Sequence, residues 1–287
     1  MNRQSRGGVF WILSLPPAVW LLVLLVGPLL LMTLFSFRTD IKGGIGGEWI
    51  FTLKHYSYIF QAKSYLILLG ISIFLALCVA IIVTILAYPL AYFLAFHAGR
   101  KAEFYLIVLM VPFWTSYLLR VMSWKVMLGA DGVINSLLIY LGIIENPSPL
   151  LLYSRYSVAL TLIYIWIPFA ALPILSALQR IDISLFEAAA DLGAKPSKRF
   201  LTVVLPLSLS GILASFFMVF IPTIGEYATP LIIGGSRGAM YGNLIQEFFT
   251  KAANWPLGSA LSIVMLLITL ILVAIALKQI DFKKFVN

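Results

Sequence analysis

Glu187 opens the run Glu187-Ala188-Ala189-Ala190, and Gly193 closes it. Alanines at 188–190 leave one helix face nearly bare beside that carboxylate, and a small-residue face lets another protein's surface approach closely. Ser184 stands three residues before Glu187, the S-x-x-E spacing of a capping box. Leu185 to Leu192 is rich in helix formers, and Gly193 is the expected stop. Pro196 can open a new helix at its first position, and Pro206 interrupts the apolar pattern that follows. The plainer reading of this stretch is a surface connector with ordinary caps. Glu226 is the second candidate: residues 200–225 before it carry no charge, and neither do 227–236 after it. An ionisable group in such surroundings is a functional hypothesis by default. Tyr227 stands beside it, and Trp114, Tyr117 and Trp124 lie in another apolar stretch. Pro222, Gly225 and Pro230 predict broken helix lining a cavity. The plainer alternative is an interfacial carboxylate paired with Lys or Arg, among belt aromatics. Gly234-Gly235-Ser236-Arg237-Gly238 matches G-x-S-x-G, but a nucleophilic Ser236 needs a strand–turn–helix context and a nearby base. Gly-Gly-Ser is also ordinary turn composition. His55 and His97 are the two histidines and Cys78 the one cysteine; they are too far apart in sequence to suggest a metal site. No catalytic residue is assigned.

The elements that position these residues follow from composition. Of 287 residues, 62% are hydrophobic and 11% charged, against about 45–50% and about 25% in soluble domains. Mean hydropathy is +1.02. Such a chain cannot cover its own surface with polar groups, which excludes a soluble enzyme, a disordered chain and a nucleic-acid module. The net charge of +9 sits at the ends of apolar runs, where lipid headgroups and membrane topology explain it.

Crossing ~30 Å of hydrocarbon takes about 20 apolar helical residues. Residues 7–37, 64–96, 156–179, 200–225 and 252–277 are free of Asp, Glu, Lys, Arg and His and long enough to cross. Residues 104–119 make a sixth crossing if the helix extends past Arg120 toward Leu128, whereas 132–144 is short and reads as interfacial or re-entrant. Arg3 and Arg6 at one end, and Lys278, Lys283 and Lys284 at the other, predict two cytoplasmic termini and an even count. The inner segments are then 1–10, 97–103, 180–199 and 278–287; they carry Lys and Arg more densely than 38–63, 120–155 and 226–251 outside. The first run is too long for a cleavable signal and reads as a retained helix, bent near Pro16-Pro17 and Gly27-Pro28. Residues 43–47 mark an outer turn. The expected fold is all-α: a polytopic membrane protein of six transmembrane helices with a cytoplasmic helix between helices 4 and 5. Its expected parts are 1–63, a first helix and periplasmic loop; 64–280, the transmembrane core; and 281–287, a short tail.

The spacing E-A-A-x3-G-x9-[IV]-x-L-P, present without a gap as Glu187-Ala188-Ala189, Gly193, Val203 and Leu205-Pro206, resembles the signature loop of binding-protein-dependent ABC transporter permeases. Here that loop is 182–206. Segments 111–128, 220–235 and 242–262 look most like the spermidine/putrescine class, and with the loop the resemblance covers most of 60–280. Those permeases usually carry Asp just before a Trp-Pro pair; Asn254 stands there in this chain. The resemblance implies that Glu187, Ala188, Ala189 and Gly193, with Leu205 and Pro206, couple the chain to an ATPase. It also implies two ATP-binding cassette subunits that carry the ATP and Mg2+, and a second permease, homologous or identical. A periplasmic or extracellular solute-binding protein would deliver a small solute, a polyamine in first place. The setting would be the bacterial inner membrane, with lipid around the chain and no nucleic acid. No G-x-x-x-x-G-K-[ST] occurs, so this chain offers no phosphate-cradling loop of its own. The substrate pathway is expected at Glu226, Tyr227, Trp114, Tyr117 and Trp124. Rival readings are a permease for another small solute, an ATP-independent secondary transporter, and an intramembrane hydrolase.

Overall fold

The computed structural model describes residues 3–39 and 50–279, with side chains from residue 14 onward. The turn at 43–47 and the tail at 281–287 lie outside the described residues. The helices in order are α1 (Arg3–Ser36), α2 (Lys54–Gln61), α3 (Lys63–Phe96), α4 (Ala102–Met110), α5 (Tyr117–Leu128), α6 (Val133–Tyr140), α7 (Arg155–Leu178), α8 (Ile183–Asp191), α9 (Pro196–Arg199), α10 (Leu205–Leu207), α11 (Leu209–Ile224), α12 (Tyr241–Thr250) and α13 (Trp255–Gln279). Among the described residues the only β feature is an isolated bridge between Arg38 and Phe51.

Four of these helices are long and apolar enough to cross a membrane: α1 from Ser14, α3, α7, and α13 to Lys278. Two bent pairs make the number six if each pair is one span. Gly99–Trp114 and Tyr117–Tyr140 meet at 85°, and Pro196–Leu207 and Leu209–Ile224 meet at 62°. The sixth crossing is therefore not the straight helix from 104 toward 128 that the apolar run suggests. Pro112 has no N–H to give, the Thr115 hydroxyl turns back to the Pro112 carbonyl at 2.6 Å, and Thr115 and Ser116 adopt extended angles. α1, by contrast, stays helical through Pro16, Pro17 and Pro28.

The chain divides into two compact units. The first joins Met1–Leu66 to Leu244–Ile268. In it the leucines of α1, Leu21, Leu22 and Leu25 among them, are exposed, as a lipid-facing helix requires. His55 Nε2 lies 2.8 Å from the Arg38 carbonyl. Asn254 Oδ1 accepts from the Leu257 N–H at 3.1 Å and so caps the first turn of α13.

The second unit joins Ile67–Asn243 to Thr269–Asn287 and holds every residue expected above to couple to an ATPase or to line the pathway. Its centre is the pairing of α7 with α11. Leu162, Ile165, Ile174 and Leu178 on α7 are buried, as are Val219, Phe220 and Ile224 on α11. At the crossing, a Cβ on Gly211 would stand 2.5 Å from the Ala177 Cβ and 2.7 Å from the Pro173 carbonyl. Replacing Gly211 by Val should therefore force the two helices apart and destabilise by about 1–3 kcal/mol. A lowered melting midpoint of the purified protein in detergent checks this; an unchanged midpoint would show that the crossing yields freely.

Candidate functional site

The loop after α7 is built by local rules, though not quite those the spacing suggests. Asp182, not Ser184, is the N-cap of α8: its carboxylate accepts from the Ser184 N–H at 2.9 Å. The capping box predicted for Ser184 and Glu187 does not form, because Ser184 already lies inside the helix. Gly193 has φ +77°. Its N–H reaches the Ala190 carbonyl at 2.8 Å, and the Ala194 N–H reaches the Ala189 carbonyl at 3.0 Å. Those two bonds are the Schellman closure, which needs a left-handed residue at this point. Pro196 then opens α9 at its first turn.

Glu187 and Ala188 are exposed and Ala189 half-buried, so the predicted docking face is open. Leu192, just before the glycine, is 88% exposed. Sequence reasoning passed over it; an apolar residue at the tip of a helix that carries charged neighbours was the available signal. Phe186 points the other way and packs against Phe96 at the end of α3, ring centroids 5.2 Å apart. Leu205 and Pro206 are half-buried in α10, beyond a π-helical turn at Phe200–Val204, rather than on the exposed loop.

Glu226 follows the end of α11 and is half-buried. One carboxylate oxygen accepts from the Ala228 and Thr229 N–H groups at 2.9 and 3.1 Å, capping the helical segment that begins there. The Tyr117 hydroxyl hydrogen-bonds the buried Thr229 hydroxyl at 2.5 Å and also interacts with Glu226. Tyr117 and Glu226 thus meet. Trp124 packs on Tyr164 at 5.3 Å and, with Thr115, Arg120 and Ser123, lines a cavity of about 610 Å3. Trp114 is 78% exposed, and Tyr227 directs half of its surface outward while its carbonyl accepts from Asn243. From the sequence Arg120 reads as a snorkelling cation that keeps the pathway from being uniformly acidic. Its guanidinium stacks on the Phe113 ring at 4.5 Å, and its buried Nε and Nη1 have no hydrogen-bond partner.

The G-x-S-x-G pattern has a structural cause. The Gly238 N–H bonds the Gly234 carbonyl at 2.8 Å, and a Cβ at Gly238 would stand 2.4 Å from the Gly234 Cα. The glycines close a tight turn, and among the described residues no strand precedes Ser236.

Residues 3–284 match the family described as the binding-protein-dependent transport system inner membrane component. The chain belongs to this family. The permease is 31% identical over 249 residues to the spermidine/putrescine transport system permease protein PotB of Escherichia coli, covering 87% of this chain and 90% of that one. It is 40% identical over 158 residues to the PotB of Haemophilus influenzae, a match spanning 55% of each chain. Its fold superposes on a bacterial ABC transporter that imports the acidic polysaccharide alginate, with TM-score 0.68 and 16% identity over 96% of both chains. The permease is a multi-pass inner-membrane subunit of an ABC importer, and a transport subunit rather than an enzyme.

The cap on α8 titrates. The Ser184 N–H holds the Asp182 carboxyl below its ordinary 3.8. A lowered folded value means the cap is fully present above the ordinary value and is lost as pH falls through the lowered one. At neutral pH Asp182→Ala should loosen α8, and limited trypsin digestion should then cut faster at Lys198 and Arg199, the bond after Lys195 being protected by Pro196. At pH values low enough to protonate Asp182, hydrogen exchange of the α8 amides should no longer distinguish the parent from the variant.

Proposed function

We propose that the permease moves a small ammonium-bearing solute, a polyamine such as spermidine or putrescine in first place, inward by alternating access. The observation that carries this reading is the open face of α8, Glu187 and Ala188 exposed beside a left-handed Gly193, in a chain whose relatives bear polyamine permease names. α8 serves as the coupling helix, seated on an ATPase subunit. Two such subunits bind ATP and Mg2+. A second permease, homologous or identical, completes the pathway, and a solute-binding protein delivers from outside. Both termini lie in the cytoplasm, so that α8 faces the ATPase.

Within the pathway, Glu226 supplies the negative charge. Tyr117, Tyr227, Trp114 and Trp124 supply ring faces, on which an ammonium is held more strongly as water is excluded. Leu205 and Pro206 transmit motion at the start of the bent span rather than touching the ATPase.

Glu226→Gln separates the charge from the cap, because the amide keeps an oxygen for the Ala228 and Thr229 N–H groups. Uptake of radiolabelled spermidine into proteoliposomes holding the full complex should fall strongly, with the melting midpoint little changed. Unaltered uptake would leave Glu226 a cap and nothing more.

Gly193→Val places a β-branched residue at φ +77°, at a cost of about 1–3 kcal/mol. A Cβ there meets no neighbour, so the damage is confined to the loop. The variant should reach the membrane yet hydrolyse ATP without proportionate uptake. Normal coupling in that variant would remove the loop from the mechanism.

A further inference from the structure

An unbroken file of rings joins α8 to the bend in a membrane span. Phe186 on α8 meets Phe96 edge-on at 5.2 Å. Phe96 meets Tyr92, one turn back along α3, at 5.0 Å. Tyr92 meets Phe200 at 5.8 Å, and Phe200 meets Tyr88 edge-on at 5.7 Å. The file ends in a hydrogen bond: the Tyr88 hydroxyl and Ser208 Oγ are 2.9 Å apart. Ser208 is fully buried and is the residue between α10 and α11, where the span turns through 62°.

We propose that this file carries the displacement of α8 to the bend at Ser208, with Phe186 and Tyr88 as the positioning residues at its two ends. The proposal rests on the reading of α8 as the ATPase contact and adds the route by which that contact reaches the membrane. Neither Glu187 nor Gly193 belongs to the route. It runs instead through the inward face of α8.

Three features make the file suited to transmission. First, its backing is rigid: Ala76, Ala80, Val83, Ala87, Ala91 and Leu94 form one fully or nearly buried face of α3 at three- and four-residue spacing. Rings packed against such a rod shift as bodies, since packed interiors rearrange between discrete states rather than compress. Second, Phe200 opens the π-helical stretch Phe200–Val204, a wider turn that frequently marks functional sites. Third, the bend is held by few groups. Ser208 gives its N–H to Val204 and its hydroxyl to the Leu205 carbonyl, and Tyr88 is the partner that reaches Ser208 from another helix. A hydrogen bond at this depth is strengthened by the low dielectric. Moving Phe186 obliges Phe96 and Tyr92 to move or to part from Phe200, and either event changes the surroundings of the Tyr88–Ser208 bond.

The test uses the full permease–ATPase complex with its solute-binding protein in proteoliposomes. Tyr88→Phe keeps the ring and removes the hydroxyl; Ser208→Ala removes the other partner; Phe186→Ala breaks the first link. Each should lower the spermidine moved per ATP hydrolysed by about three- to tenfold while ATP hydrolysis persists. The double variant Tyr88→Phe/Ser208→Ala should lose no more than either single one, and Ser208→Thr, which keeps a hydroxyl, should restore most of the ratio. A merely structural role would lower the melting midpoint and both rates together and would show no such rescue. A cysteine crosslink from position 192 to the ATPase controls the underlying reading. Unchanged ratios in variants that still crosslink overturn the ring file alone. Absence of the crosslink in the parent complex overturns the coupling reading and the file with it.

Discussion

Hydrocarbon offers the backbone no hydrogen-bond partner, so every interruption of a spanning helix must be answered from within the protein. The permease contains several interruptions, and each has its answer. At the 85° turn the Thr115 hydroxyl takes up the Pro112 carbonyl. At the 62° turn Ser208 serves Val204 and Leu205 and is itself met by Tyr88. After α11 the Glu226 carboxylate receives two N–H groups, and Asn243 receives into its amide the duty of serving the Tyr227 carbonyl. A straight helix would need none of these side chains. Their cost in polarity at such positions makes sense where the bent segments border a cavity or must move.

Electrostatics follows the same constraint. Arg120 and Glu226 both act on Tyr117, one from each charge sign. The Arg120 guanidinium rests on Phe113 and near Tyr117, at 4.5 and 6.0 Å. Ring faces soften the burial of that charge without fixing it in an ion pair. The cavity beside Trp124 thus has a cationic wall.

The parts legible in the sequence were those governed by neighbours a few residues away. Gly193 announced its left-handed closure because a glycine after a run of alanines has few other uses, and Pro196 announced the next helix because its fixed φ suits a first turn. Asp182 was missed because two residues, Asp182 and Ser184, could each cap, and only the chain's path out of α7 decides between them. The break at Thr115-Ser116 was hidden because the apolar run continues through it unchanged. Glu226 was found from its isolation among uncharged residues, but its capping bonds depend on the turn that Gly225 begins. The ring file was out of reach: Phe186 and Phe96 lie far apart in sequence, and hydrophobic periodicity does not distinguish a ring that faces lipid from one that faces another ring.

The likeness to an alginate importer and to polyamine permeases bears on where specificity resides. The first neighbour is named for an acidic polysaccharide and shares the fold at 16% identity; the second group is named for cations and shares sequence at 31–40%. One scaffold therefore carries solutes of opposite charge, so the arrangement of helices cannot itself select the solute. Selection must fall to side chains that can change without disturbing the frame. Glu226 is constrained by its cap only at an oxygen, which an amide supplies equally well, so the fold does not require its charge. Arg120 stacks on Phe113 while its buried Nε and Nη1 have no hydrogen-bond partner, so no bond from those atoms ties it to the frame. The residues that structure needs least are thus the ones freest to differ between proteins that share this frame.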